Sequence, residues 1–156
     1  TPIVRVRKML ELAHIKAGDR VYDLGCGDGR MVHLAAKEYG ADAIGLELSP
    51  LIYGMARLRN FLVRSRSKIL FRDFRRIDYR NAKAIVCYLM PEALKVLRPK
   101  LEAELTPGVR FVSYAFQVAG WMPVHVEAKD PAHNLAPIYV YEMPISKKEN
   151  GSSAQK

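Results

Sequence analysis

Two cysteines are all that 156 residues carry, Cys26 and Cys87. Neither their number nor their spacing makes a secreted disulfide framework or a zinc site, so both are expected as free thiols in a reducing compartment. Histidine is equally sparse: His14, His33, His125 and His133 are scattered along the chain, and no metal centre is expected from them. No apolar run approaches the roughly 18 residues of a membrane-crossing helix. Nor does a charged lead followed by an apolar stretch mark an export signal. These absences predict a cytoplasmic, soluble chain with no membrane partner, read as a monomer. Thr1 stands where an initiator methionine would, which leaves a removed preceding segment open. There is no internal repeat, and the length suits a single domain with one core, here taken as 1–145. The remainder, 146–156, is polar and rich in Gly, Ser and Lys, and is expected to be disordered.

What the chain does have is organised around Arg20 to Arg30, R-V-Y-D-L-G-C-G-D-G-R. A short apolar strand runs into an acid and then into Gly25, Gly27 and Gly29. Alternate glycines remove Cβ atoms where a ligand must come close, and the helix pattern that starts at Arg30 offers unpaired N–H groups. A dinucleotide loop spaces its glycines as G-x-G-x-x-G, with a pyrophosphate at the helix end. Here the third glycine comes one residue early, which points to a ligand without phosphate. The next strand, Ala43 to Leu48, ends in Glu47, 22 residues after Gly25, where a carboxylate can accept two hydrogen bonds from a ribose diol. A dinucleotide site and a ligand-free turn are the other readings of such a loop.

D-L-G-C-G-D-G followed by G-L-E-L-S-P resembles the S-adenosylmethionine site of class I methyltransferases. The resemblance implies that Asp23 and the loop Gly25-Cys26-Gly27 face the methionine part of that cofactor. It also implies that Asp28 lines the carboxypropyl end and that Glu47 holds the ribose. Asp73, just past the third strand (Ile69 to Phe71), would receive the adenine amino group, and the backbone of Phe74 would meet the ring edge. An Asx turn is the alternative for Asp73.

The rest of the chain alternates strand and helix patterns. An opening helix is capped by Thr1-Pro2, and a second runs from Arg30 to Tyr39 until Gly40 stops it. A third starts at Ser49-Pro50, its stripe of Leu51, Met55, Leu58 and Leu62 expected to be core. Strand four, Ala84 to Leu89, is continuously apolar, as a strand covered on both faces should be. Pro91 opens a helix and Pro99 is expected to open a separate turn of helix. Strand five, Val109 to Phe116, precedes a closing antiparallel pair, Val124 to Ala128 and Ile138 to Met143. The expected fold is a doubly wound, mostly parallel seven-stranded α/β sheet with a C-terminal hairpin and its ligand at the carboxyl ends of the strands.

The tips of strands four and five limit the methyl acceptor. Amino-methylases of adenine or glutamine carry Asn or Asp before Pro-Pro and an aromatic at strand four, where this chain reads Tyr88-Leu89-Met90-Pro91. Cytosine C5 chemistry needs a thiolate, and Cys87 lies within the strand. The acid that ribose 2′-O transfer uses at that tip is absent. What remains is an apolar and aromatic mouth of Tyr88, Leu89, Tyr114, Phe116 and Trp121, which suits an amine. A desolvated lysine loses its proton more readily, and aromatic faces attract the methylated cation. Core packing is the other reading of each ring. The run from Pro99 through Trp121-Met122-Pro123 is similar to the archaeal broad-specificity protein lysine methyltransferases and their mitochondrial relatives. That resemblance implies a protein substrate presenting lysine, with Phe116 and Trp121 helping to form the lysine channel; Tyr88, from the aromatic mouth, is taken as catalytic with them. In that pattern Tyr114-Ala115 stands where a His-acid pair is common, which leaves a general base without an owner.

The charge is uneven. Of a net +9, the segment 57–80 carries nine Lys or Arg against Asp73 and Asp78. Such a face attracts polyanions, so an RNA acceptor, or a non-catalytic basic nucleic-acid-binding protein with this fold, are the alternatives to lysine methylation. A plain solvated face is the third reading.

Overall fold

A computed structural model of the protein describes residues 1–145; the expected tail, 146–156, lies outside the described residues. The chain runs α1 (Ile3–Leu12), β1 (Arg20–Leu24), α2 (Arg30–Tyr39), β2 (Asp42–Glu47), α3 (Pro50–Leu62), β3 (Lys68–Phe71), β4 (Ala84–Cys87), α4 (Pro91–Glu104), β5 (Arg110–Tyr114), β6 (His125–Glu127) and β7 (Ile138–Glu142). Short 3-10 turns stand at Phe74–Arg76 and Pro131–His133. The strands form a seven-stranded sheet in the order β3-β2-β1-β4-β5-β7-β6. β3 through β5 are parallel and β7 is antiparallel to both β5 and β6, as the alternation pattern predicts. The strand order reverses between β1 and β4, which opens a crevice at their carboxyl ends.

Alternate residues of the sheet serve two cores. On one face Val21, Ala43, Ala84, Val86, Val112 and Val140 meet Val6, Met9 and Leu10 of α1 and Val32 and Ala35 of α2. On the other, Leu24, Leu46, Ile85, Phe111 and Tyr141 meet Leu94, Leu97 and Leu101 of α4. All of β4 is buried, consistent with its unbroken apolar run.

Four local expectations are corrected. α1 is capped by Pro2, without a side-chain hydrogen bond. α4 continues through Pro99 as one helix; Pro99 and Lys95, whose carbonyl loses its helical donor, are both exposed, so water can replace the missing bond. The stripe of α3 faces outward: Leu51, Met55, Leu58 and Leu62 are 75%, 60%, 59% and 69% exposed, whereas Ala56 and Asn60 are buried. The small side chain of Ala56 lets α3 approach Gly29, where an added Cβ would lie 3.8 Å from that of Ala56. The Asn60 amide closes the α3–β3 connection by donating to the Ser67 carbonyl at 2.9 Å. Helical periodicity locates a stripe but does not say which of two opposite faces turns inward.

The fourth correction concerns Trp121. Its ring is 1% exposed, edge-on to Phe111 at 5.7 Å and to Tyr141 at 5.3 Å. Its indole N–H donates to Glu102 Oε1 at 2.7 Å. It belongs to the α4-side core, so Trp121→Ala should lower stability by about 3–5 kcal/mol, read by denaturant titration. A loss under about 1 kcal/mol would contradict this placement.

Candidate functional site

The loop after β1 is tied to β2 before any ligand arrives. Gly25 N–H and Cys26 N–H both donate to the Leu46 carbonyl, at 2.9 and 3.0 Å. Gly25, Gly27 and Gly29 take φ of 72°, 56° and 74°, the left-handed region where a side chain is strained. Cys26 fills the space above Gly45, where an added Cβ would fall 2.7 Å from Sγ. Its side chain therefore packs into the core while its backbone lines the cleft. Burial holds that thiol well above its ordinary range, and Cys87, fully enclosed, is pushed up to about 12 by burial. Neither is a nucleophile at neutral pH.

Glu47 fixes the neighbouring strand end. Its Oε2 accepts from Gly27 N–H at 3.1 Å, and its Oε1 from Leu48 and Ser49 N–H at 2.9 Å each. Oε2, with one donor, thus keeps acceptor capacity. Asp28 Oδ1 accepts from the Arg30 backbone N–H at 3.1 Å, and its carboxylate pairs with the Arg30 guanidinium at 2.8 Å. Asp23, Gly25, Cys26, Gly27, Asp28, Arg30, Met31 and Tyr88 border a cleft of about 300 Å³. Arg30 and Met31 were not expected among them, although residues one and two past such a loop open the first helical turn and must face whatever the loop binds.

Asp23 is 4% exposed. Burial, with the neighbouring charges of Asp28 and Glu47, raises its pKa to about 7. Asp23 and Asp28 on the cleft, with Glu47 close enough for its charge to act on Asp23, favour a ligand that carries positive charge. Among the described residues no cluster of three or more His, Cys, Asp or Glu could hold a metal ion.

Asp73 and Phe74 stand one strand further on, past β3, whose Phe71 is in register with Glu47. The Asx turn is present: Asp73 Oδ1 accepts from Arg75 N–H at 2.9 Å. The Arg75 guanidinium lies 2.6 Å from Oδ2 and holds this carboxyl below its usual range. Phe74 packs partly against the α4-side core. Both residues border the sheet end beside Glu47, outside the cleft itself.

At the tip of β4, Tyr88 is 50% exposed and gathers the aromatic residues. Its ring is 5.2 Å from that of Tyr114, edge-on, and parallel to that of Phe116 at 6.3 Å. The chain reverses after β5 through Ala115, with φ of 71°. Ala115 N–H donates to the Pro137 carbonyl at 2.8 Å, and Ser113 Oγ donates to the Phe116 carbonyl at 2.7 Å. This bend, invisible to strand alternation, brings Phe116 beside Tyr88. Trp121 does not join them, being held on the α4 side of the sheet.

Comparison with known proteins places this geometry among relatives. The ANTKMT methyltransferase domain matches residues 23–125. The chain is 36% identical over 144 residues to a protein-lysine N-methyltransferase of Saccharolobus islandicus, covering 90% of this chain and 89% of that protein. It is 37% identical to the adenine nucleotide translocase lysine N-methyltransferase of Mus musculus, over 78% of this chain and 54% of that protein. The chain thus spans about half the length of the mouse relative. A crystal structure described as an RNA methyltransferase from Salinibacter ruber with S-adenosyl-L-homocysteine superposes with a TM-score of 0.85 at 32% identity, covering 96% of this chain and 97% of that one.

The raised Asp23 pKa sets a sign for stability. A carboxyl that titrates near 4 when unfolded and at about 7 when folded holds more protons in the folded state between those values. Its contribution is therefore full below about pH 4 and is lost as pH rises towards about 7. Asp23→Asn removes the titration, so the stability of the variant relative to the parent should rise between pH 5 and pH 8. Denaturant midpoints at the two pH values check this; a difference that does not change with pH would contradict it.

Proposed function

This chain belongs to the ANTKMT methyltransferase domain family, S-adenosylmethionine-dependent methyltransferases, and on that premise we propose that it methylates lysine side chains of a protein substrate. The observation that carries the choice of acceptor is that Tyr88, on the border of the acid-lined cleft, is half exposed and backed by the rings of Tyr114 and Phe116. The Saccharolobus islandicus relative, a protein-lysine N-methyltransferase covered along 89% of its length, supports it.

The residues present fit the cofactor. Its sulfonium and ammonium charges would meet Asp23 and Asp28, the two acids on the cleft, of which Asp28 already pairs with Arg30. Glu47 would accept the ribose hydroxyls while still holding Gly27 N–H, so ribose recognition and loop geometry share one carboxylate. Asp73 and Phe74 would take the adenine edge. When bound, S-adenosylmethionine supplies a methyl group on an electron-poor sulfur. The work left to the protein is to hold a neutral amine in line with it, where proximity carries most of the rate. Tyr88 and Phe116 exclude water from the incoming lysine and so lower its pKa. Its proton can leave to solvent, towards which the half-exposed Tyr88 opens.

A second reading keeps the chemistry and makes RNA the acceptor. The Salinibacter ruber structure is described as an RNA methyltransferase, and the basic 57–80 segment would attract a phosphate backbone. Methyl-labelled cofactor incubated with separated protein and RNA fractions distinguishes the two. Label in protein, surviving as methyl-lysine after hydrolysis, is expected; label in RNA alone would overturn the lysine assignment.

Two variants test the roles. Glu47→Ala removes the ribose acceptor and the partner of three backbone amides. Cofactor affinity should fall by at least a hundredfold, about 3 kcal/mol, measured by calorimetry, with some loss of thermal stability as well. An unchanged affinity would remove Glu47 from the site. Phe116→Ala should lower methyl transfer by about a hundredfold while cofactor affinity changes little. If both fall together, Phe116 does not wall the acceptor channel.

A further inference from the structure

The outward face of α3 is the largest feature that a cofactor cleft and a lysine channel leave unexplained. Leu51, Met55, Leu58 and Leu62 form a ridge directly opposite the buried Ala56 and Asn60, and Phe61 beside it is 79% exposed. On the open edge of the sheet beside α3, Leu70 and Phe71 of β3 are 38% and 45% exposed, Phe71 against Tyr53 and Leu70 in one hollow with Phe61. Scattered apolar residues on a surface need no explanation, whereas a continuous ridge with this exposure does.

The charge around the ridge is of one sign. Between Pro50 and Arg72 the sequence holds six Lys or Arg (57, 59, 64, 66, 68 and 72) and no Asp or Glu. Among the described residues only Lys68 of these six pairs with a carboxylate, Asp42 at 3.3 Å. Two hollows meet at Arg64 and Ser65 beside the end of the helix. One, of about 270 Å³, is bordered by His33, Lys37, Arg64 and Arg66. The other, of about 520 Å³, is bordered by Arg57, Phe61, Arg64 and Lys68. Neither has an acidic residue on its wall.

We propose that α3 and the adjoining β3 edge dock this protein on the surface of an anionic lipid bilayer. A helix lying in the bilayer plane buries its apolar side at the boundary of headgroups and acyl chains while cations at its flanks reach the headgroups. Leu51, Met55, Leu58 and Leu62 supply that apolar side, with the exposed Arg57, Arg64 and Arg66 at the flank and end. The contact is peripheral, since no described helix is long and apolar enough to cross a membrane. It departs from the absence of a membrane partner expected from the sequence, where the α3 stripe was taken as core.

Other occupants fit less well. A second copy would bring six uncompensated cations against six. A nucleic acid would satisfy the arginines but leave aliphatic Leu and Met side chains facing phosphate and water, with Phe61 and Phe71 as the exposed rings available for stacking. An acidic protein would need a groove to receive a convex ridge, whereas a fluid lipid boundary conforms to it.

The test is flotation of the intact protein with vesicles of phosphatidylcholine, alone or mixed with phosphatidylglycerol. Binding is expected only to the mixed vesicles and should weaken with salt. Met55→Glu with Leu58→Glu should weaken partitioning by about tenfold or more, as should Arg64→Glu with Arg66→Glu. The first pair lies on a solvent-facing ridge outside the cleft, so melting temperature and cofactor affinity should be unchanged. Those two readouts separate lost docking from lost folding, and failure of the lysine assignment would leave them untouched. No parent binding to the mixed vesicles overturns the proposal, as does binding that survives Met55→Glu with Leu58→Glu. A dimer abolished by that same pair, or salt-steep RNA binding without vesicle binding, would assign the face to those partners instead.

Discussion

The Glu47 carboxylate joins the two loops on which the site depends. It accepts one N–H from the glycine loop after β1 and two from the turn after β2, so the two neighbouring strand ends cannot move independently. The Leu46 carbonyl adds a second tie by accepting from Gly25 and Cys26. Between them these contacts use main-chain donors that the left-handed glycines would otherwise leave without partners. The cleft is thereby shaped before a ligand enters, which reduces the ordering cost of binding.

What the tied loops enclose is electrostatically unfavourable when empty. Asp23 and Asp28 border the same space with Glu47 nearby, and burial first, then these neighbouring charges, raises the Asp23 pKa to about 7. A carboxyl held there against desolvation and like charge is a group that a cationic ligand would relieve. The same logic accounts for the cysteines. Cys26 sits beside these acids, where a thiolate would be disfavoured twice, by burial and by like charge, and the residue acts through its volume against Gly45.

The parts of this site that could be read from the sequence are those governed by backbone chemistry. Glycine spacing, the acid before it, the acid ending the next strand and the unbroken apolar run of β4 each carry a local rule, and the sheet order and cleft wall follow from them. The misread parts depend on choices between faces. The α3 stripe has correct helical spacing and lies outside because Ala56 and Asn60, smaller and hydrogen-bonded, fit the close approach to Gly29 and Ser67. Trp121 follows β5 by a few residues, yet the turn through Val118, whose N–H donates to the Tyr141 hydroxyl at 2.9 Å, carries it to the α4 side. Phe116 ends beside Tyr88 through the left-handed Ala115, a conformation that no propensity rule assigns to alanine.

The distribution of charge then separates two tasks within one small domain. A net charge of +9 repels a cationic ligand at long range and attracts anionic surfaces, which would oppose the needs of the cleft if the field were uniform. At physiological ionic strength such fields fade over roughly 8 Å, so a ligand inside the cleft responds to the nearby carboxylates and not to the distant arginines. The β3–α3 flank meets the opposite condition: its cations, apart from the half-buried Arg59, are exposed, almost unpaired among the described residues and grouped around apolar side chains. Salt should therefore weaken interactions at that flank while leaving the buried Asp23 environment nearly unchanged. Such a difference can arise only because the acids sit behind tied loops and the cations stand in solvent.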